Sequence, residues 1–441
     1  MRARSLELAA PLTAEDQQVQ SMPDVSPTKW HLAHVTWFFE TFLLGPRLAE
    51  YQAFDPAFAY LFNSYYEQVG ERHPRPLRGL LSRPTLEAVH AYRAHVDQAM
   101  DRLIAGASPS TWAEIEPLVE LGLNHEQQHQ ELILMDIKHV LWSNPLAPAY
   151  SSARSSPSGG SPAEGREGGS HAPASGLQPP SPASPVLPPM GGDLPAAPKL
   201  EWLDFDGGLV EVGHDGAGFA FDNEGPRHKL WLEPFRLASR LSTCGEYLGF
   251  IADGGYARPE LWLSDGWAAV RAEGWSAPLY WRQAEDGGWI IFTLAGPKQL
   301  DPDEPVSHLS YYEADAFARW CGARLPTEGE WESAAVRATS AADTNLADAR
   351  LYHPRRASEH GLQQMIGDVW EWTMSPYVAY PRYRPPEGAV GEYNGKFMSG
   401  QMVLRGGAAV TPDDHVRISY RNFFPPAARW AFSGVRLAAD A

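Results

Sequence analysis

Two histidines four residues apart are the feature of this sequence with the clearest chemical potential. They are His125 and His129, within the stretch NHEQQHQE at residues 124–131. In a helix, positions i and i+4 lie on the same face. Two neutral imidazoles at that spacing can chelate iron, zinc, copper or nickel, whereas calcium and magnesium prefer oxygen ligands. The alternative is a polar helix face with two solvated histidines.

The residues around this pair favour an inward-facing site. Between Trp112 and Trp142 the only proline is Pro117, and apolar residues recur at helical spacing, which predicts one long helix. Such a helix must satisfy the hydrogen-bonding groups that it turns toward the core. Four of these accompany the two histidines: Gln127, Gln128, Gln130 and Glu131.

A second helix, predicted for residues 30–42, is apolar almost all the way round and is therefore expected to be buried. It contains His31 and His34, three residues apart, and its polar members need partners. We predict a metal site shared by the two helices. The alternative is that these histidines are satisfied core residues.

A loop with polar and aromatic side chains follows the second helix. Its sequence, NSYYEQVGERHPRP at residues 63–76, interrupts helical periodicity with glycine and proline. The adjacent Tyr65 and Tyr66 can donate a phenol proton or line a pocket. The three arginines of this region can bind a carboxylate or face water. They are Arg72, Arg75 and Arg78.

The sequence predicts two domains and a linker. Residues 1–143 contain four principal helices, one starting at Thr13 and one covering residues 84–104, which indicates a four-helix bundle. Residues 144–198 are dominated by Ser, Pro, Gly and Ala and are predicted to be a disordered linker. Residues 199–441 predict an irregular α+β domain rich in loops and held by its tryptophans. Helices are expected there at residues 244–252, 310–321 and 327–336.

Charge and composition narrow the class of partner. The 441 residues include 36 basic and 54 acidic ones, a net charge of −18. This argues against nucleic acid or an anionic membrane as the main partner and favours small-molecule substrates. Only two cysteines occur, Cys244 and Cys321, so no disulfide framework is expected. Because no long apolar run or signal sequence is present, we expect a soluble, cytoplasmic protein.

Short motifs connect both domains with known families. The second domain contains FDNEGP (221–226), RLPTEGEWE (324–332), GDVWEWT (367–373), LRGG (404–407) and GVRL (434–437). Together these resemble the formylglycine-generating-enzyme, or sulfatase-modifying factor, family, which has a C-type-lectin-like fold. The first domain, with WHLAH (30–34) and HEQQHQE (125–131), resembles the DinB-like iron-binding bundle. This pairing of domains resembles the sulfoxide synthases of ergothioneine biosynthesis and covers nearly all of the chain except the linker.

The resemblance implies a non-haem Fe(II) enzyme that uses O2. By motif, the iron ligands are His34, His125 and His129. Glu131 is then a carboxylate that orients a ligand histidine; a site of two histidines and Glu131 is the alternative. The implied reaction joins cysteine to hercynine through a C–S bond and oxidises the sulfur, giving hercynylcysteine sulfoxide.

The resemblance also implies how hercynine is bound. Asn422 and Gln128 are expected to bind its carboxylate, and Phe423 or Phe424 to face its trimethylammonium group. Mycobacterial-type members, which use γ-glutamylcysteine, carry Trp-Asp where this chain has Phe423-Phe424. This departure makes the chain look more like the branch that takes free cysteine.

Two further roles are expected from the loop after the second helix. Tyr65 or Tyr66 is expected to donate a proton near the reacting oxygen, because a phenol stays protonated at neutral pH. The carboxylate of cysteine is expected to be held by one or more of Arg72, Arg75 and Arg78.

Four alternatives remain open. The first is that γ-glutamylcysteine is the sulfur donor. The second is that the chain resembles the ovothiol-pathway synthase, which joins cysteine to histidine but usually carries a further methyltransferase domain. A third is oxidation of a sulfatase cysteine to formylglycine, which needs two copper-binding cysteines that are missing at the corresponding place. The fourth is a ligand-binding module without catalysis.

Overall fold

The computed structural model describes residues 1–150, 196–338, 344–358 and 360–441. Its first part is helical, as predicted. The principal helices are α1 (Arg2–Ala9), α2 (Thr28–Phe39), α3 (Leu86–Gly106) and α4 (Pro109–Ser143). Helix α2 packs against α3 and α4, and α1 packs against α4. Shorter helical segments lie at Asp16–Gln18, Glu40–Leu44, Gly45–Arg47, Phe58–Leu61 and Arg75–Leu80.

Local sequence explains where the two longest helices begin. The hydroxyl of Thr85 caps α3 by accepting the N–H of Ala88 at 3.2 Å, and Ser108 caps α4 by accepting the N–H of Thr111 at 3.1 Å. Pro109 follows at the first helical position, where its missing N–H costs nothing. Every residue of α2 is buried, which confirms the prediction from its apolar sequence.

The prediction that a helix starts at Thr13 is wrong. Thr13 and Asp16 do exchange the hydrogen bonds of a helix start, at 2.9 and 3.1 Å. Only the short turn at Asp16–Gln18 follows, because the residues up to Pro23 provide no apolar stripe for the bundle to bury. The first helix lies earlier, at Arg2–Ala9, where Ala, Leu, Arg and Glu predominate, all strong helix formers.

The second part is an α+β domain of short strands, as expected. The strands are β1 (Trp202–Phe205), β2 (Gly208–Val212), β3 (His228–Leu232), β4 (Phe235–Ala238), β5 (Trp281–Gln283), β6 (Trp289–Thr293), β7 (Gly296–Gln299), β8 (Trp370–Pro376), β9 (Met402–Arg405), β10 (Asn422–Phe424), β11 (Ser433–Gly434) and β12 (Ala438–Asp440). The described residues form sheets of order β1-β4-β12, β10-β9-β8-β11 and β5-β6-β7, and a β2-β3 hairpin. Neighbouring strands are antiparallel except β8 and β11.

The described residues of this domain also form four α-helices: α5 (Cys244–Ala252), α6 (Ser264–Glu273), α7 (Tyr311–Trp320) and α8 (Glu328–Ala335). Helices α5, α7 and α8 confirm the predictions for residues 244–252, 310–321 and 327–336. Each begins with a capping box, in which a hydroxyl and a glutamate satisfy each other's backbone N–H groups. The pairs are Thr243 with Glu246, Ser310 with Glu313 and Thr327 with Glu330. Helix α6 was not predicted.

Buried ion pairs hold the second domain together, and their members lie largely in the motifs quoted above. In three of these pairs the arginine is completely buried, and one of its nitrogens lies 2.6–2.9 Å from a glutamate oxygen. The pairs are Arg405 with Glu332, Arg421 with Glu328 and Arg436 with Glu371. Because an unpaired buried charge is strongly destabilising, each partner requires the other. These motif residues therefore build the scaffold.

The folded chain continues beyond the predicted boundary at residue 143. The main-chain N–H of Tyr150 donates to the carbonyl of Leu294 at 2.8 Å, and its hydroxyl donates to the carbonyl of Leu8 at 2.6 Å. Residues 151–195 of the predicted linker lie outside the described residues. No helix in the described ranges combines the length and the apolar character that a bilayer crossing requires.

A buried carboxylate joins three helices of the first domain. Glu126 of α4 accepts hydrogen bonds from Arg2 of α1 at 2.9 Å, from Arg93 of α3 at 2.8 Å and from the hydroxyl of Ser5 at 2.7 Å. Burial alone would raise the pKa of Glu126, but the two guanidinium groups outweigh burial and lower that pKa to about 2. The group is therefore ionised at neutral pH.

We predict that Glu126→Ala lowers the free energy of unfolding by about 3–5 kcal/mol at pH 7, because it leaves the buried Arg93 unpaired. Since the folded-state pKa is depressed, this contribution is present above the unfolded pKa of 4.5 and is lost as the pH falls through about 2. Urea unfolding followed by circular dichroism measures both effects. The exposed Glu116→Ala of the same helix is the control. Equal urea midpoints for the two variants would contradict the prediction.

Candidate metal centre and substrate cavity

Three histidines converge between α2 and α4. His34 comes from α2, and His125 and His129 lie one turn apart on α4. One ring nitrogen of each lies within 4.8 Å of one ring nitrogen of each of the others. The structure thus brings together the three residues that the sequence predicts as metal ligands.

The hydrogen bonds of two of these rings leave a free nitrogen for a metal. Nδ1 of His34 hydrogen-bonds to the carbonyl of Phe62 at 2.6 Å, and Nδ1 of His129 to Nδ1 of His31 at 2.7 Å. In both rings Nε2 remains, and Nε2 of His34 is buried without any hydrogen-bond partner among the described residues. A bound metal ion would satisfy such an atom.

Burial keeps these imidazoles neutral. It lowers the pKa of His125 to about 3 and lowers the pKa values of His34 and His129 well below the ordinary value of 6.5. Neutral imidazole is the form that binds metal. A set of three neutral nitrogen donors suits a borderline divalent ion such as Fe(II).

The prediction that Glu131 orients a ligand histidine is wrong. Its carboxylate accepts hydrogen bonds from Trp370 Nε1 and from the Thr411 hydroxyl, both at 2.6 Å, and so joins α4 to the second domain. Burial raises the pKa of Glu131 to about 7. Both oxygens are occupied, which also disfavours Glu131 as a metal ligand. The position next to His129 is occupied by His31, whose Nε2 lies 3.0 Å from Asp136.

A cavity of about 370 Å³ lies between the two domains. Two of the three histidines, His125 and His129, lie on its wall. All the residues predicted to bind substrate line it as well, together with the predicted proton donor Tyr65 and with Glu131: Arg72, Arg75, Arg78, Gln128, Asn422, Phe423 and Phe424. Tyr66 is absent from the wall.

The predicted tyrosine pair separates into a cavity residue and a core residue. Tyr65 lines the cavity and stacks on Tyr66 with ring centroids 4.6 Å apart. Tyr66 is completely buried, and its hydroxyl has no hydrogen-bond partner in the described part of the chain. Burial raises the pKa values of both phenols, so each remains protonated at neutral pH.

Two tyrosines that line the cavity, Tyr393 and Tyr420, were not predicted from the sequence. The Tyr393 ring centroid lies 5.5 Å from that of His125, and its hydroxyl donates to the side-chain oxygen of Gln128. The side-chain nitrogen of Gln128 donates to the hydroxyl of Tyr420 at 2.8 Å. Tyr393 lies in a loop without a recognisable motif, so no local signal pointed to it. Gln128 is thus held by the second domain.

The three predicted arginines differ in how their charge is neutralised. Arg72 is half-exposed and pairs with Glu67 at 3.0 Å, and Arg75 donates to a main-chain carbonyl. Arg78 is buried, and its hydrogen bonds go to the hydroxyls of Ser26 at 2.9 Å and Ser64 at 3.3 Å. Burial and the neighbouring Arg75 lower the pKa of Arg78. No carboxylate of the described residues is hydrogen-bonded to Arg78, so its charge is available to an anion.

An aromatic stack connects this arginine with the histidine cluster. The guanidinium carbon of Arg78 lies 3.4 Å from the ring centroid of Trp30. Trp30 is in turn stacked on His34, with centroids 4.6 Å apart and planes 11° apart. The indole N–H donates to the carbonyl of Leu61 at 3.1 Å and so fixes the ring.

Strand β10 places the remaining predicted residues on the cavity wall. It pairs with β9, and its three residues are all half-buried. The side-chain oxygen of Asn422 accepts the N–H of Phe423 at 2.9 Å, which leaves its amide nitrogen for a ligand. Phe423 stacks on Tyr377 with centroids 4.0 Å apart, and Phe424 packs edge-on against Trp430.

Both domains match known protein families. Residues 199–441 match the sulfatase-modifying factor enzyme 1-like domain, and residues 1–133 match the DinB superfamily. The chain is 32% identical to a hercynine oxygenase of Mycolicibacterium thermoresistibile, over 95% of this chain and 88% of that protein. It is 39% identical to the hercynine oxygenase of Mycobacterium tuberculosis over 50% of this chain and 56% of that protein. It is 29% identical to ergothioneine biosynthesis protein 1 of Schizosaccharomyces pombe, over 50% of this chain and 27% of that protein.

Proposed function

The chain belongs to the hercynine oxygenase family, and from this membership we propose that it is a sulfoxide synthase of ergothioneine biosynthesis that joins cysteine to hercynine. The observation that carries the proposal is the cluster of three neutral imidazoles beside the interdomain cavity. In the reaction, a C–S bond forms as a ring C–H and the thiol S–H are lost. One oxygen atom of O2 is transferred to the sulfur, and the other leaves as water.

Iron fits the residues of the cluster, and His34, His125 and His129 would hold it. The unpartnered Nε2 of His34 and the depressed pKa values of all three rings support this assignment. When bound, Fe(II) supplies the redox chemistry that allows O2 to react with a thiolate.

The protein's own residues bind and orient the two substrates. Asn422 offers its amide nitrogen to a carboxylate of hercynine, with Gln128 beside it on the wall. Phe423 or Phe424 faces the trimethylammonium group, an attraction of about 0.5–2 kcal/mol. These contacts hold the reacting atoms at a fixed distance and orientation, which lowers the entropic part of the activation barrier.

The carboxylate of the sulfur donor is assigned to Arg78; Arg72 and Arg75 lie on the same wall but are engaged by Glu67 and by a main-chain carbonyl. The unpaired charge of Arg78 supports this choice, because a bidentate guanidinium–carboxylate contact fixes both position and angle. We propose free cysteine as the donor, since Phe423 and Phe424 stand where mycobacterial-type members carry Trp-Asp. γ-Glutamylcysteine is the alternative.

A tyrosine on the wall is proposed to donate a proton during the reaction. Of the predicted pair, Tyr65 is favoured because it lines the cavity, whereas Tyr66 lies in the core. Tyr393 is the second candidate, because its ring lies next to His125. Proton donation to the reacting oxygen favours C–S coupling over oxidation of the thiol to sulfinate.

Two further observations bear on the alternatives and on location. Cys244 is buried at the start of α5, and Cys321 lies at the end of α7; neither lines the cavity, which disfavours oxidation of a sulfatase cysteine. Both cysteines are free thiols, which supports the proposal of a cytoplasmic location.

The first test of the function measures iron and product together. Anaerobically loaded protein is expected to bind one Fe(II) per chain and, with hercynine, cysteine and air, to form a product with the mass of hercynylcysteine sulfoxide. His125→Ala/His129→Ala should lose both, whereas His228→Ala, outside the cavity, should keep both. Stoichiometric iron in the double variant would disprove the metal site. A fully iron-loaded protein that makes no sulfoxide would disprove the function.

A second test concerns the proton donor. We expect Tyr65→Phe to lower the ratio of sulfoxide to cysteine sulfinate by at least tenfold, because the phenol proton is lost while the ring is kept. Mass spectrometry measures the ratio. Tyr66→Phe is the matched control and should keep the wild-type ratio. If Tyr65→Phe also keeps it and Tyr393→Phe lowers it, Tyr393 has the role.

A third test concerns the sulfur donor. Arg78→Met should raise the KM for cysteine by about 10–100-fold, as expected for the loss of a charge-assisted hydrogen bond of about 1.5–3 kcal/mol. The KM for hercynine should change much less. Arg72→Met serves as control, because the Arg72 charge is already paired with Glu67. A higher kcat/KM with γ-glutamylcysteine than with cysteine would reverse the donor assignment.

A further inference from the structure

A second histidine of α2 links a predicted metal ligand to a buried carboxylate. Nδ1 of His31 lies 2.7 Å from Nδ1 of His129, and Nε2 of His31 lies 3.0 Å from the Oδ2 atom of Asp136. His31 and Asp136 are each only 2% exposed. The three side chains therefore form a continuous hydrogen-bonded row.

When His129 holds a metal through Nε2, only one arrangement of the ring hydrogens satisfies every hydrogen bond in this row. Nδ1 of His129 must then carry its hydrogen and donate, so Nδ1 of His31 must accept. The hydrogen of the neutral His31 ring then lies on Nε2 and is donated to Asp136. Any other neutral arrangement places two hydrogens or two lone pairs between the Nδ1 atoms, or leaves the carboxylate without its donor.

The carboxylate at the end of the row is itself held in place. Oδ2 of Asp136 also accepts the main-chain N–H of Ser26 at 2.7 Å, just before α2 begins. The hydroxyl of Ser26 accepts a hydrogen bond from Arg78 at 2.9 Å. One network thus runs from the metal ligand to the arginine that lines the cavity.

The other two histidines have no such support. Nδ1 of His34 is hydrogen-bonded to a main-chain carbonyl, which is neutral, and Nδ1 of His125 has no partner among the described residues. Of the three histidines, only His129 is connected to a carboxylate within the part of the chain that the structure describes. A donor that is backed by a carboxylate has a fixed tautomer and a more basic free nitrogen, which strengthens its bond to a metal.

We propose that His31 and Asp136 are positioning residues that fix the tautomer and ring orientation of His129 and thereby set the affinity of the metal site. This inference rests on the proposed function, because it requires that His129 bind a metal. It assigns to the His31–Asp136 pair the role that the sequence pattern had suggested for Glu131.

Cobalt(II) is the probe that tests the proposal without turnover, because its visible absorption reports the ligand set. The metal-free full chain is titrated with Co(II) under argon as wild type, His31→Leu and His31→Asn. His31→Leu removes the acceptor and should weaken Co(II) binding about 10–100-fold, with a changed visible spectrum. His31→Asn places an oxygen near the position of Nδ1 but loses the link to Asp136, so it should bind Co(II) more tightly than His31→Leu and more weakly than the wild type.

His139→Leu is the matched control, since it also removes a hydrogen-bonded imidazole, 2.7 Å from the hydroxyl of Ser21, from the same helix as His129. It should bind Co(II) like the wild type. Urea midpoints of all four proteins separate weaker metal binding from general destabilisation. The inference is overturned if His31→Leu keeps the wild-type affinity and spectrum, or if His139→Leu loses as much affinity. If the wild type itself binds no Co(II), the proposed metal function fails instead.

Discussion

The burial of polar side chains along α4 is the constraint on which the rest of the structure depends. A buried polar group without a partner costs about 1–3 kcal/mol, and an unpaired charge costs more. Glu126 is held by arginines of α1 and α3, Gln128 by tyrosines of the second domain, and Glu131 by Trp370 and Thr411. Because these partners come from distant parts of the chain, α4 and its two histidines are held in place by contacts with both domains.

The buried arginines of the second-domain scaffold and the buried arginine of the cavity, Arg78, have different kinds of hydrogen-bond partner. The buried arginines of the second domain each face a glutamate, so their charges are neutralised within the fold. Arg78 is equally buried, but its hydrogen bonds go to two hydroxyls. In a chain with a net charge of −18, an anionic substrate needs such a local positive group to enter a cavity against the overall field.

The histidine cluster, which is the proposed metal centre, and the interdomain cavity share supporting residues. Trp30 lies between Arg78 and His34, and Ser26 lies between Arg78 and Asp136. A displacement of the arginine would therefore be transmitted to both α2 histidines. Under the proposed function, this arrangement would hold the donor carboxylate and the metal in a fixed relation to each other, as a reaction between two oriented groups requires.

Features that depend on local spacing were determined by the sequence. The i, i+4 histidines, the apolar α2 and the capping boxes of α5, α7 and α8 each depend on residues within one or two helical turns, and the structure has all of them. The predicted start at Thr13 failed although its capping hydrogen bonds form, because a helix also needs an apolar face that the rest of the bundle can bury.

Tertiary structure alone decided which groups surround the histidines. Glu131 is two residues from His129 in sequence, yet its carboxylate binds Trp370, while His31 from another helix contacts the ring of His129. Tyr393 lies far along the chain in a loop without a motif, and still reaches the cavity beside His125. Contacts of this kind join residues that are distant in sequence, and their geometry is set by how two domains pack, which no local pattern of residues encodes.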